Sequence, residues 1–254
     1  SPDSHSGYAA RRSTPAMTDV LFLRSDDLAG LATPSDYVSA VRAGYESHGT
    51  DGTAQPRTKL VSSEPPGMCT GYLAILPEVG AMGGYTYAAG FGDRDAHFAL
   101  PLFDAESGAL LALLDGASMN PFKTGATGAV GVDELAREDA RTCAVIGSGA
   151  QARGQLKATA TVRDFEAVRV FSPTAGHRRA FASEFDDRLS ADVRAVGSAA
   201  DAVADADVVI TATTATDPVL RNADLPEGVH VTAMGQYDRG KRELDAATIA
   251  RATY

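Results

Sequence analysis

The 254 residues carry 33 acidic and 23 basic side chains, a formal charge of −10, and only two cysteines. A chain of this length buries a full core in one large domain or two modest ones, and no run approaches the roughly 20 apolar residues of a membrane span. The acidic balance argues against nucleic acid as the main partner, while Cys69 and Cys143 are too few for a disulfide framework and read as free thiols of a cytoplasmic protein.

Residues 1–16 are small, polar and without periodicity, which predicts a disordered extension. Arg11-Arg12 is followed by no apolar segment, so no export signal is read there. A strand is expected over Val20–Leu23 and a helix over Pro34–His48, opened by Thr33 or Ser35. Strands follow at Thr58–Val61, Gly71–Ile75, Tyr85–Phe91, His97–Phe103 and Leu110–Leu114; the turn Asp104–Gly108 joins the last two as a hairpin. Small residues after Lys123 predict a helix leading into a region of different character.

There, strands at Cys143–Ile146, Val168–Phe171, Val193–Val196, Val208–Thr213 and Val229–Met234 alternate with helices at Gln151–Thr161, Ala175–Phe185 and Ala199–Ala204. Such alternation means βαβ units on a parallel sheet. The expected fold class is therefore α/β: a Rossmann-type domain at 123–254 behind a sheet-rich domain at 17–122.

The most specific local feature is Cys143-Ala-Val-Ile-Gly147-Ser148-Gly149-Ala150-Gln151-Ala152, a buried strand running through G-x-G-x-x-A into a helix. Gly147 allows the tight turn, Gly149 lets the backbone approach a pyrophosphate, and Ala152 lets the helix pack on the sheet. The next strand ends Phe171-Ser172-Pro173 with no carboxylate, and His177, Arg178 and Arg179 follow. A small hydroxyl beside arginine suits a 2′-phosphate, so NADP(H) is preferred with NAD(H) as the alternative. Thr213 and Thr214, at the end of the fourth strand, are candidate contacts to the ribose or nicotinamide. No metal site is expected.

With that turn placed, the chain resembles the ornithine cyclodeaminase/μ-crystallin family. The resembling segments are QPRTKL at 55–60, FDAESGALLALLDG at 103–116, KTGATGAVGVDELARED at 123–139, VIGSGAQARGQL at 145–156, TATTATDPVL at 211–220 and VTAMGQYDRGKRELD at 231–245. The resemblance implies an NAD(P)-dependent homodimer acting on a small amino-acid or imino-acid substrate. Its first domain would serve substrate binding and dimerisation. It implies that Arg57 grips the substrate carboxylate through a bidentate fork, and that Thr124, Ala150, Gln151, Met234, Gly235 and Lys241 belong to the cofactor site together with Gly147, Ser148, Gly149, Ser172, Arg178, Thr213 and Thr214. Three positions depart from the pattern. A second carboxylate-binding arginine is replaced by Lys123, and an active-site lysine aligns with Thr86, for which Lys59 is the candidate substitute. The catalytic aspartate aligns with Tyr237, next to Asp238, which leaves these two as candidate acid/base groups. The reaction implied is that of an amino-acid dehydrogenase or ketimine reductase. The alternatives are an ornithine cyclodeaminase, releasing proline and ammonia, and a non-catalytic NADPH-binding protein. Family members also continue past the point matching Tyr254 with a segment that returns to the first domain.

The charge has a second layer. Asp outnumbers Glu 23 to 10, and Arg outnumbers Lys 19 to 4. Many short hydrated carboxylates and few ammonium stems suit a cytosol rich in salt, where a Debye length of a few Å screens the self-repulsion.

Overall fold

The computed structural model describes residues 19–50, 52–91, 96–235 and 240–253. It divides into two compact units: one takes the chain up to Leu23 together with Thr53–Asp115, the other Arg24–Gly52 and the chain from Gly116 onward. The expected extension at 1–16 lies outside the described residues.

The first unit is one seven-stranded sheet of β1 (Leu21–Leu23), β2 (Thr53–Ala54), β3 (Thr58–Ser63), β4 (Pro66–Leu76), β5 (Ala81–Ala89), β6 (Ala96–Asp104) and β7 (Leu110–Asp115). The order is β1-β7-β6-β5-β4-β2, with β3 also paired to β4. Only the β1–β7 pair is parallel. The hairpin expected at Asp104–Gly108 is present: Asp104 Oδ1 accepts both the backbone N–H and the hydroxyl of Ser107 at 2.6 Å, and Gly108 takes the left-handed φ of 72° the turn needs. The Cys69 region, unassigned from sequence, is the long strand β4. The strand expected over Tyr85–Phe91 begins and ends earlier, stopping before Gly90, whose φ of 82° breaks the ladder.

Alternation divides the sheet into two faces. One gathers Tyr72, Tyr85, Tyr87 and Phe98, with Tyr72 stacked on Tyr85 at 5.9 Å and Phe98 edge-on to Tyr85 at 5.5 Å. The other leaves Leu60 and Leu73 exposed.

The second unit opens with α1 (Ser25–Leu28) and α2 (Pro34–Gly49). Thr33 caps α2 as expected: its hydroxyl accepts the Asp36 N–H at 3.2 Å, and the Asp36 carboxylate accepts the Thr33 N–H at 2.8 Å. These helices were expected in the sheet-rich domain. They cluster instead with the second unit, because Val38 of α2 packs on Ala126 and Ala129 of α3 (Asn120–Leu135) and Tyr37 stacks on Phe122 at 5.4 Å. Arg42 of α2 also pairs with Asp133 and Glu134. Helix α3 starts three residues before Lys123, with Pro121 in its first turn, a position that needs no backbone donor.

Five parallel strands follow: β8 (Thr142–Ile146), β9 (Ala167–Phe171), β10 (Asp192–Ala195), β11 (Val208–Thr211) and β12 (His230–Ala233), in the order β10-β9-β8-β11-β12. Helices α4 (Ala150–Thr159), α5 (Ala175–Asp186), α6 (Ala199–Val203) and α7 (Ala246–Arg251) complete the unit. Val145, Val168, Val208 and Ile210 are wholly inaccessible, as are Leu156 of α4 and Phe181 of α5. The α/β, Rossmann-type class expected from the sequence is the one observed. The expected strand Val208–Thr213 is shorter, ending at Thr211, because the Thr213 N–H turns to a carboxylate instead of the ladder.

Candidate functional site

The strand order reverses between β8 and β11, so their carboxyl ends flank the crevice where open parallel sheets bind ligands. The glycine turn leaves β8 at this point. Gly147 has φ of 121°, a Cβ there would collide with the Ala212 carbonyl oxygen, and its N–H donates to the Phe171 carbonyl at 2.8 Å. Glycine is therefore required both by the backbone conformation and by the closeness of the β11 exit. At Gly149 a Cβ would meet nothing within 4 Å, so the turn presents bare backbone to open space in front of α4. The unpaired N–H groups of that helix end suit an anion. Gln151, in the first turn, has a shielded amide oxygen without a hydrogen-bond partner among the described residues. A polar atom left unpaired beside an open helix N-terminus fits a bound polar ligand.

The end of β9 lies alongside. The Ser148 hydroxyl donates to the Ser172 hydroxyl at 2.9 Å, and Ser172 is buried. The Arg178 Nη1 donates to the carbonyls of Ser172 (2.8 Å) and Pro173 (3.2 Å), and its guanidinium lies 5.6 Å from the Phe171 ring centre. A fixed positive charge thus stands at the strand end where an NAD-binding site usually has a carboxylate. His177 and Arg179 lie on the same helix, Arg179 exposed.

Helix α3 is held against α4 by contacts too close for side chains: a Cβ on Gly125 would strike the Gly154 carbonyl, and one on Gly154 would strike that of Pro121. Gln155, buried, donates through Nε2 to the Thr124 carbonyl at 3.0 Å. This contact fixes Lys123 and Thr124, both half-buried, in the first turns of α3 relative to the helix that carries the glycine turn.

On the other bank, Thr213 and exposed Thr214 lie in the loop beyond β11, and Met234 and buried Gly235 follow β12. Glu243, wholly inaccessible, accepts the Thr211 hydroxyl at 2.7 Å and the N–H groups of Thr213 and Gly235 at 2.6 Å each. Lys241 is half-buried two residues earlier. Tyr237 and Asp238 lie outside the described residues.

Within the first unit, Arg57 immediately precedes β3 and its Nη1 donates to the Tyr87 hydroxyl at 3.4 Å. Lys59 pairs in register with Thr70, and Thr70 with Tyr87, so Lys59 shares a face with Tyr87 and Arg57. Thr86 neighbours Tyr87 along β5 and stands on the opposite face, so the sheet brings Arg57 and Lys59 together without it.

Two site residues escaped the sequence reading. Arg153 donates through Nε to Glu184 at 2.7 Å, while its Nη1 bonds the Ser148 carbonyl and braces the turn from below. Glu243 is the other. Each joins a near partner, Ser148 for Arg153 and Gly235 for Glu243, to one about thirty positions away (31 for Arg153–Glu184, 32 for Glu243–Thr211), beyond any local pattern. The visible signal was no more than a charged residue inside a segment that must be buried.

Comparison with known proteins shows the family and the fold. The model of the "Ornithine cyclodeaminase/mu-crystallin family" matches residues 46–254. A Δ1-pyrroline-2-carboxylate reductase of Bacillus cereus is 35% identical over 151 residues, 59% of this chain and 46% of that protein. The chain thus aligns with about half the length of such relatives. The structure of Thermococcus litoralis Δ1-pyrroline-2-carboxylate reductase in complex with NADH and L-proline superimposes with a TM-score of 0.84 at 29% identity, over 92% of this chain and 74% of that one. The iminosuccinate reductase of Paracoccus denitrificans in complex with NAD+ gives 0.83 at 25%, over 92% and 74%.

Proposed function

The chain belongs to the ornithine cyclodeaminase/mu-crystallin family, and on that footing we propose that it is an NAD(P)-dependent oxidoreductase acting at the α-carbon of a small amino or imino acid. The observation that carries this reading is the glycine turn at the sheet's switch point, with Gly149 open to solvent before α4. Relatives described as reductases of cyclic or open imino acids, with NADH or NAD+ bound in two solved structures, support the same reaction class.

In this reading Gly147, Ser148, Gly149, Ala150 and Gln151 hold the pyrophosphate, with Thr124, Thr213, Thr214, Met234, Gly235 and Lys241 along the rest of the dinucleotide. Ser172 and Arg178 favour a 2′-phosphate and hence NADP(H), because a guanidinium there complements a dianion and no carboxylate competes for ribose hydroxyls. When bound, the nicotinamide supplies or accepts the hydride. The protein's own residues bind, orient and move protons. Arg57, with Lys59 on the same face of the sheet, holds the substrate carboxylate, and Lys123 adds charge without a fork. Asp238 or Tyr237 exchanges the proton; at neutral pH an aspartate is the better base. The apolar surface of the first unit serves a homodimer, and the Asp-rich, Lys-poor composition suits a salty cytoplasm.

The test is a screen of NADPH and NADH oxidation with cyclic imines and 2-oxo acids plus ammonia, and of NADP+ and NAD+ reduction with amino acids, across a salt series. Turnover of an imino acid with NADPH favoured is the expected result, and Arg178→Ala should shift the preference toward NADH. Absence of both dinucleotide binding and turnover would overturn the proposal.

A further inference from the structure

The two banks of the crevice are built differently. The Gly147–Gly149 bank presents main chain and is braced by Arg153. The facing bank is formed by two strand exits, after β11 and after β12, and both are tied to one buried carboxylate.

We propose that Glu243 is a positioning residue, holding the β11 and β12 exits in the form that receives the nicotinamide half of the cofactor; this rests on the dinucleotide reading above. Its Oε1 accepts the Thr213 N–H, and its Oε2 accepts the Gly235 N–H and the Thr211 hydroxyl. The carboxylate occupies the space a side chain at 235 would need: a Cβ there would stand 2.5 Å from Glu243 Cδ and 2.6 Å from the Thr213 carbonyl oxygen. Residue 235 is therefore glycine: the carboxylate and the Thr213 carbonyl together leave no room for a Cβ. The Glu243 backbone is itself fixed, since its carbonyl accepts the N–H groups of Val219 at 2.9 Å and Leu220 at 3.3 Å, and Leu244 bridges to Leu220.

A carboxylate suits this position because it only accepts, and at least three donors converge on it. Glutamine has the same shape but turns an NH2 toward either the Thr213 or the Gly235 N–H, leaving one buried backbone donor facing another donor. The consequence reaches the chemistry along the chain. Gly235 lies two residues before Tyr237 and three before Asp238, and Glu243 lies five after Asp238.

The experiment compares wild type, Glu243→Gln and Thr211→Val for binding of ADP-ribose, 2′-phospho-ADP-ribose and NADPH by calorimetry, with bound-NADPH fluorescence and kcat measured in parallel. The nicotinamide-free fragments should bind all three proteins within about twofold, because the Gly147–Gly149 bank is untouched. NADPH affinity should fall about tenfold in E243Q and about threefold in T211V, with a shifted nicotinamide emission and a lower kcat. A residue that merely stabilised the fold would weaken fragments and NADPH alike. Equal losses for both, or NADPH affinity, emission and kcat unchanged, would overturn the proposal. Should E243Q not fold, T211V decides by the same criteria. Wild type binding neither fragment nor dinucleotide would overturn the cofactor reading and this one together.

Discussion

The parallel-sheet unit and the antiparallel-sheet unit treat their apolar residues in opposite ways. Strand β11 is wholly inaccessible along its length, whereas every residue of β3 is exposed, Leu60 and Val61 at 70% and 72%. Helices cover both faces of a parallel sheet, so its strands read as unbroken apolar runs such as Cys143–Ile146. The antiparallel sheet is built from alternating residues and leaves Leu60, Leu73 and Ile75 in view. In the proposed homodimer this exposed apolar area would be the surface that is covered. The contrast extends to the proposed function, in which the second unit would offer mainly backbone and helix ends to a ligand and the first long side chains on a sheet face.

The contrast can be broken by substitution. Leu156→Ala, within the sealed core of the second unit, should cost about 2–5 kcal/mol in urea unfolding; a loss under ~1 kcal/mol would show that this core is looser than its burial indicates. Asp207 gives an intermediate effect. It joins the starts of β8 and β11 by accepting the N–H groups of Arg141 (2.8 Å) and Thr142 (2.9 Å) and pairing with Arg137. Partial burial would raise its pKa, but these donors and the guanidinium outweigh that and hold it below the ordinary carboxylate range. Its stabilising contribution is present above the unfolded value near 3.9 and disappears as pH falls through the lower folded value. Asp207→Asn should therefore lower stability at pH 7 by about 1 kcal/mol or less, a gap that closes below about pH 4; a gap independent of pH would remove the ionic explanation. The smallest stability effect is expected for Leu60→Ser, within ~0.5 kcal/mol. That substitution should instead weaken self-association in sedimentation, and a dimer equally tight in L60S would place the interface elsewhere.

Much of the second unit was legible because its physics is local. Buried strands and the Gly147 turn announce themselves within ten residues, and strands β8 to β10 and β12 fall within two residues of the expected bounds. The cap at Thr33, one of the two starts expected for α2, could be read for the same reason; its partner Asp36 was supplied by the fold. Helix α2 was assigned to the wrong neighbours because sequence continuity says nothing of which surface an apolar stripe will meet. Strand β2, two residues on a sheet edge, carries no periodicity at all. In the candidate site, residues acting through the backbone were visible as glycines. Arg153 and Glu243 were not, since what defines each is a set of partners that only the folded chain assembles. Thr86 shows the reverse: alignment to a family pattern names a position but not the face of the strand on which it stands.

Strand β1 pairs with β7, Leu21 opposite Ala112, although the chain passes through α1 and α2 of the other unit between them. At a synthesis rate of roughly 5–20 residues per second, an edge strand with exposed Leu21 and Phe22 waits several seconds for its partner. Most of the antiparallel ladders join strands consecutive in the chain, but the β1–β7 pairing must close a long loop. A slow final phase of refolding, read from protection of the Leu21–Leu23 amides, is the expected kinetic signature of this connectivity.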